Sequence, residues 1–245
     1  MIETASKMRL KSPDRGELLD EESVCRALLP LASARVLELG CGKAEVTRKL
    51  ARAFPAARFT ALENDTVQAA LNLEGGDSAN LRFGAGAAEA IPAEAGAFDV
   101  VMMLKSLHHV PVPLLDKALH EIHRVLAPGG MAVFLEPVFD GEYNEVLRIF
   151  HDEERVRAAA FDALRRAIEG GRFQLVEERF FLRRVSFEGF AHFEKGVIGV
   201  SHTHHRLTAD QLARVRERFM RSATPEGANF LQPMRVDLLR AMPAH

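Results

Sequence analysis

The 245-residue sequence contains no tryptophan, one tyrosine and two cysteines. Two thiols, Cys25 and Cys41, are too few for a disulfide framework and fit a reducing compartment, so the expected location is the cytoplasm. Long apolar runs are missing as well. None approaches the ~20 residues of a membrane span, and Met1 to Leu10 lacks the apolar core of a signal peptide. Neither charge sign dominates, since 32 Lys and Arg stand against 34 Asp and Glu, a net charge of -2. That balance excludes a global field for holding nucleic acid or an acidic membrane surface. From Gly141 onward, 17 basic and 15 acidic residues are interspersed at helical spacing, which marks solvated faces rather than a phosphate-binding stripe. Internal repeats and low-complexity tracts are also absent, and a single α/β domain with an appendage is expected.

What is present is a rhythm. From Ala34 to Pro137, short apolar runs alternate with amphipathic stretches, the pattern of a mostly parallel sheet with helices on both faces. Strands are expected at Arg35–Leu39, Arg58–Leu62, Leu81–Phe83, Phe98–Leu104 and Met131–Leu135. The helix after the first strand repeats Val46, Leu50 and Phe54 every four residues, and Pro55 stops it. Leu114, Leu115, Ala118, Leu119, Ile122, Val125 and Leu126 line one face of another helix, and Pro128-Gly129-Gly130 ends it. Beyond Pro137 a helical insertion over about 142–169 precedes a sixth strand at Phe173–Val185. Helices are expected at Phe187–Gly199 and Thr208–Arg221, and a seventh strand at Phe230–Arg240. The expected organisation is an N-terminal helical segment (1–33), a Rossmann-like cofactor-binding core (34–140), and an insertion or lid with the last strands (141–245) in the same domain. Right-handed crossovers bring the carboxyl ends of strands one, two, four and five to one edge, where open α/β sheets bind ligands.

The turn Gly40-Cys41-Gly42 lies at that edge. A dinucleotide fingerprint G-x-G-x-x-G requires glycine at position 45, where Glu45 stands, and Walker spacing is absent. Glu38, beside the turn, repels a pyrophosphate and attracts an amino group. Glu63 closes the second strand 25 residues later, near the ~20-residue spacing of a carboxylate that accepts from a ribose diol. The turn therefore suits a phosphate-free, partly cationic ligand.

Taken in order, Val36-Leu-Glu-Leu-Gly-Cys-Gly42, Glu63, Gly84-Ala-Gly-Ala-Ala-Glu-Ala-Ile-Pro92, Phe98-Asp99, Ser106-Leu-His-His-Val110 and Arg124-Val-Leu-Ala-Pro-Gly-Gly130 resemble the class I S-adenosylmethionine-dependent methyltransferases. Within that family the nearest resemblance is to the ubiquinone-pathway-like small-molecule enzymes. It covers about Arg35 to Pro137. The resemblance implies S-adenosylmethionine as cofactor and S-adenosylhomocysteine as product. It implies that Glu38, Gly40, Cys41 and Gly42 border the methionine part, Glu63 and Asn64 the ribose, Ala88 and Glu89 the adenine, and Leu104 the pocket wall. Two positions depart from the pattern: Ala44 replaces a frequent glycine, and Ala87 an acidic residue that bonds the adenine amine.

Methyl transfer is an in-line displacement in which the protein aligns the reactants and excludes water. His108 and Lys105, just past the fourth strand, are the candidate catalytic groups, with a Lys105–Glu136 salt bridge as the structural alternative for the lysine. His109 is expected to pack. Asn144, Arg148, His151 and Asp152 share a face at helical spacing and are candidates for an acceptor lid. Neither His151-Asp-Glu-Glu154 nor His202-Thr-His-His205 has a recognised ligand spacing, so no metal is expected. The expected partner is a small-molecule methyl acceptor, with no nucleic acid or membrane, and the oligomeric state is left open. A macromolecular acceptor, or the same fold binding cofactor without turnover, is the alternative.

Overall fold

The computed structural model describes residues 8–11, 16–76, 78–199 and 206–243. Nine strands form one sheet: β1 (Glu17–Leu18), β2 (Arg35–Leu39), β3 (Arg58–Glu63), β4 (Leu81–Ala85), β5 (Phe98–Leu104), β6 (Leu126–Pro137), β7 (Phe173–Phe187), β8 (Ala223–Thr224) and β9 (Gly227–Ala241). Their order is β1-β7-β9-β6-β5-β2-β3-β4, with β8 paired to β9. β2 through β6 pair parallel with one another, while β9 lies antiparallel between β6 and β7.

Seven of these strands are the expected ones. The other two have two residues each, too short to carry a periodic signal. β1 corrects the N-terminal segment: it is not wholly helical, because Glu17 and Leu18 add a parallel edge strand against Phe181 and Leu182 before α1 (Glu21–Leu28) begins.

The central strands are buried on both faces, and their alternation sorts residues into two cores. Leu37, Leu39, Val101, Met103, Ala132 and Phe134 face one side, with α4 (Leu115–Val125) and α6 (Glu154–Glu169). Val36, Val100, Met102, Val133 and Leu135 face the other, with α1 and α2 (Glu45–Ala53). α3 (Thr66–Glu74) follows β3.

The expected helix over 142–169 is two helices. α5 (Gly141–Leu147) stops, His151 N–H closes on the Leu147 carbonyl at 2.8 Å, and Asp152 accepts from the Glu154 N–H at 3.0 Å to start α6. That local side-chain turn competes with continued helix. α6 then packs Ala160, Ala163, Leu164 and Ala167 onto the sheet core. The expected helix at 187–199 is a single turn, α7 (Phe190–Phe193), continued by a π-helical turn, while α8 (Ala209–Met220) carries a Thr208–Gln211 capping box. The outer ends of β7 and β9, with α5, α7 and α8, enclose a third core of Tyr143, Val146, Phe193, Val215, Phe219 and Phe230. This cap lies beyond the sheet edge at which β6 ends.

Candidate active site

Gly40 ends β2 at φ 65°, and a Cβ there would stand 2.7 Å from the Ser106 Cβ, so glycine is required both by conformation and by the approach of the segment after β5. Gly42, at φ 52°, has nothing within 4 Å of its Cβ direction, which leaves a backbone floor open to a ligand. Ala44 also adopts a left-handed φ of 52°, which explains why glycine suits that place in related turns.

The two turn carboxylates have different surroundings. Glu63 Oε2 accepts from the Gly42 N–H at 2.6 Å, and Oε1 from the N–H groups of Asn64 and Asp65, both at 2.8 Å. The ion thus ties the turn to the end of β3 and retains capacity for a further donor. Glu38 is buried and accepts from the Thr47 hydroxyl on α2. Burial pushes its carboxyl up to about 7, against the opposing pull of the Thr47 bond and the Lys105 charge. Cys41 turns inward, where burial raises its thiol, and Asn72 on α3 donates to the Gly42 carbonyl at 2.7 Å.

The Ala88–Glu89 turn is pinned beside Glu63 by the Gly86 N–H to Glu63 carbonyl bond at 3.1 Å. α4 holds its other end: Glu121 accepts from the Ile91 N–H at 3.1 Å, and Arg124 donates to the carbonyls of Ala93 and Ile91. Leu104 is buried at the end of β5, and Asn64 is exposed. Lys105 follows at φ 61° and pairs with Glu21 of α1, which also meets Arg183 at 3.4 Å. The Lys105–Glu136 bridge does not form. Glu136 is taken by His108, while an N-terminal helix that precedes the turn in sequence supplies the partner of Lys105.

A second polar cluster lies at the ends of β5 and β6. His108 is buried, with Nδ1 bonded to Glu136 and Nε2 3.5 Å from Glu153 Oε1. Burial favours the neutral ring, but the two carboxylates outweigh it and raise His108 to about 9. Glu136 also accepts from the Leu107 N–H at 2.9 Å, and its carboxyl is held below its ordinary value despite burial. Glu153 is also held down despite burial, by bonds from His108 and His151 and the nearby charges of His108 and Arg157. Arg157 donates to Glu153 Oε2 at 2.6 and 3.1 Å and to Asn144 Oδ1 at 3.1 Å. His109 is exposed and its ring lies 4.1 Å from that of His108. Both ring nitrogens of His108 face carboxylates, and the exposed His109 ring lies beside it.

The structure therefore gathers Glu38, Gly40, Gly42, Glu63, Leu104 and Lys105 at one edge, with Ala88 and Glu89 alongside. The expected face of Asn144, Arg148, His151 and Asp152 does not persist, because α5 ends before it is completed. Asn144 points inward to Arg157, and Arg148 lies over the Phe139 ring at 5.2 Å. Sequence reasoning missed Glu21, Thr47 and Asn72. Of these, only Thr47, one turn into α2 and nine residues after Glu38, lies close enough in sequence to be inferred. The His202-Thr-His-His205 run lies outside the described residues.

A glycine turn, a carboxylate ending the next strand and a polar edge at the parallel strand ends, on this strand order with one antiparallel insertion, define the Rossmann-like class I methyltransferase fold. A putative methyltransferase from Bacillus halodurans shares that fold, with a TM-score of 0.62 at 18% identity over 91% of this chain and 99% of its own. Residues 36–130, less than half of the chain, match the model of a methyltransferase domain, and that segment is similar to such domains. The chain is 34% identical over 102 residues to a fatty-acid O-methyltransferase of Mycolicibacterium smegmatis, covering 42% of this chain and 36% of that protein. It is 34% identical over 106 residues to a ubiquinone/menaquinone biosynthesis C-methyltransferase of Methylobacterium nodulans, covering 42% of this chain and 41% of that protein. The match thus spans less than half the length of these curated relatives. Among the described residues, no helix is long and apolar enough to cross a membrane.

Proposed function

We propose that the protein transfers a methyl group from S-adenosylmethionine to a small-molecule acceptor held between the ends of β5 and β6 and the cap of α5, α7 and α8. The carrying observation is the paired-carboxylate turn. Glu38 and Glu63 flank a glycine floor with no room for a pyrophosphate's charge, and the two carboxylates differ in their surroundings. When bound, the cofactor supplies an electrophilic sulfonium methyl. Glu38 faces the methionine ammonium, where the local low dielectric strengthens the pairing. Glu63 accepts from the ribose diol while holding the Gly42 N–H, and the Ala88–Glu89 turn flanks the adenine. Leu104 and the Lys105–Glu21 pair wall the end nearest the methyl, shielding it from water. His108, locked by Glu136 and Glu153, sets the position of His109 and the open side of the acceptor space. The small-molecule names of the curated relatives and the absence of a basic stripe support the acceptor class.

Isothermal titration with S-adenosylhomocysteine, with NAD run in parallel, tests the reading. Saturable binding of the first alone supports it; NAD binding, or no binding of either, overturns it. Product formation from a panel of hydroxyl, amine and carboxylate metabolites then tests the acceptor class.

A further inference from the structure

We propose that His108, His109 and Glu153 bind a divalent transition-metal ion of the zinc type. The sequence contains no ligand motif for it, because the histidines and the carboxylate are 44 residues apart and meet only where the loop between α5 and α6 folds back on the segment after β5. One nitrogen from each ring and one Glu153 oxygen all lie within 4.8 Å of one another. His108 Nε2 and Glu153 Oε1 are 3.5 Å apart. Two ligand atoms about 2.1 Å from a tetrahedral ion stand roughly 3.4 Å apart, so this pair is already at ligation spacing.

The surroundings are arranged as an outer shell. Glu136, buried and itself bonded to the Leu107 N–H, takes His108 Nδ1, which fixes the tautomer that presents Nε2 to the ion and raises its basicity. Arg157 takes Glu153 Oε2 with two N–H groups, leaving Oε1 aimed at the imidazoles. His151 Nε2 approaches that same Oε1 at 2.7 Å and is the nearest further donor. His109 is exposed and its ring lies against that of His108 at 42°, so the set is open on one side. Two imidazoles and a carboxylate with an open position form a donor set for borderline divalent ions that keep an exchangeable ligand. Resting on the methyl-transfer reading, the ligand taken at the open position is a hydroxyl or carboxylate oxygen of the acceptor, which the ion would orient and polarise.

Chelator-treated protein, dialysed and titrated with zinc by calorimetry and with cobalt by visible absorption, tests the site. One ion per chain is expected, with the ligand-field bands of a four- or five-coordinate cobalt centre. His109→Ala, an exposed change that spares the core, should weaken binding at least about 100-fold. Glu136→Gln should weaken it about 10–100-fold through the outer shell. S-adenosylhomocysteine titrated into the same samples reports folding and separates the two readings. Cofactor binding without metal binding overturns this site alone. Metal bound equally well by His109→Ala protein is held by other histidines and also overturns it.

Discussion

Glu38 and Glu63 sit on the same turn but should respond differently to pH and to substitution. Glu38 is neutral for part of the population near neutrality because its carboxyl is pushed up to about 7 by burial. A cationic ligand group prefers the ionised form, so each proton held by Glu38 must leave on binding. Affinity for S-adenosylhomocysteine should therefore fall as pH drops below about 7, approaching tenfold per unit, and flatten above it. Calorimetry from pH 6 to 8 checks the slope, which Glu38→Gln should abolish. Glu63 instead holds three backbone N–H groups. Glu63→Ala should weaken cofactor binding by at least about tenfold and also loosen the turn, at about 1–3 kcal/mol for the donors left unpaired. Glu63→Gln, which loses the charge but keeps one acceptor oxygen for the Asn64 and Asp65 N–H groups, separates the two effects when binding and thermal midpoints are measured together.

Among the elements, the α5–α6 break and the cap carry the consequences. Asp152 accepts from the Glu154 N–H in an exposed turn just before α6, so Asp152→Ala should cost about 0.5–1.5 kcal/mol by chemical denaturation. If the break instead followed from tertiary packing alone, stability would not change. The cap is an aromatic cluster in which Phe219 is fully buried and rings of Phe187, Phe190, Phe193 and Phe230 surround it at centroid distances of 5.1 to 6.0 Å. Phe219→Ala should cost about 3–5 kcal/mol. Because none of these rings touches the glycine turn, cofactor affinity should stay near that of the parent while acceptor turnover falls. Unchanged turnover would remove the cap from the acceptor site.

For the whole molecule, ligand binding and folding are linked. S-adenosylhomocysteine at about 100 times its Kd should add about 2.7 kcal/mol to the folded state. For a chain of 245 residues this raises the thermal midpoint by roughly 5–10 °C. NAD should give no shift. With a net charge of -2, binding of duplex nucleic acid should be undetectable at physiological salt, and a gel-shift titration checks this.

How much of this was legible in the sequence follows from how local each cause is. The expected stop at Pro128–Gly130 lies inside β6, because the helix has already ended at Val125. The alternation of Val36 to Leu39 and Val100 to Leu104, the break at Gly40–Gly42, and the spacing of Glu38 and Glu63 are properties of short windows. They determined the seven long strands, the edge at which the parallel ones end and the carboxylates of the turn. Only the tertiary structure decided that Lys105 pairs with Glu21, that Asn72 reaches the Gly42 carbonyl, and that His108 lies between Glu136 and Glu153. Each of those contacts joins segments 28 to 84 residues apart, at a point where strands and helices converge. The physical reason is that a periodic pattern shows which face of an element is buried but not which polar group of a distant element meets it. Buried charges need partners, and the partners are supplied by whichever elements pack nearby.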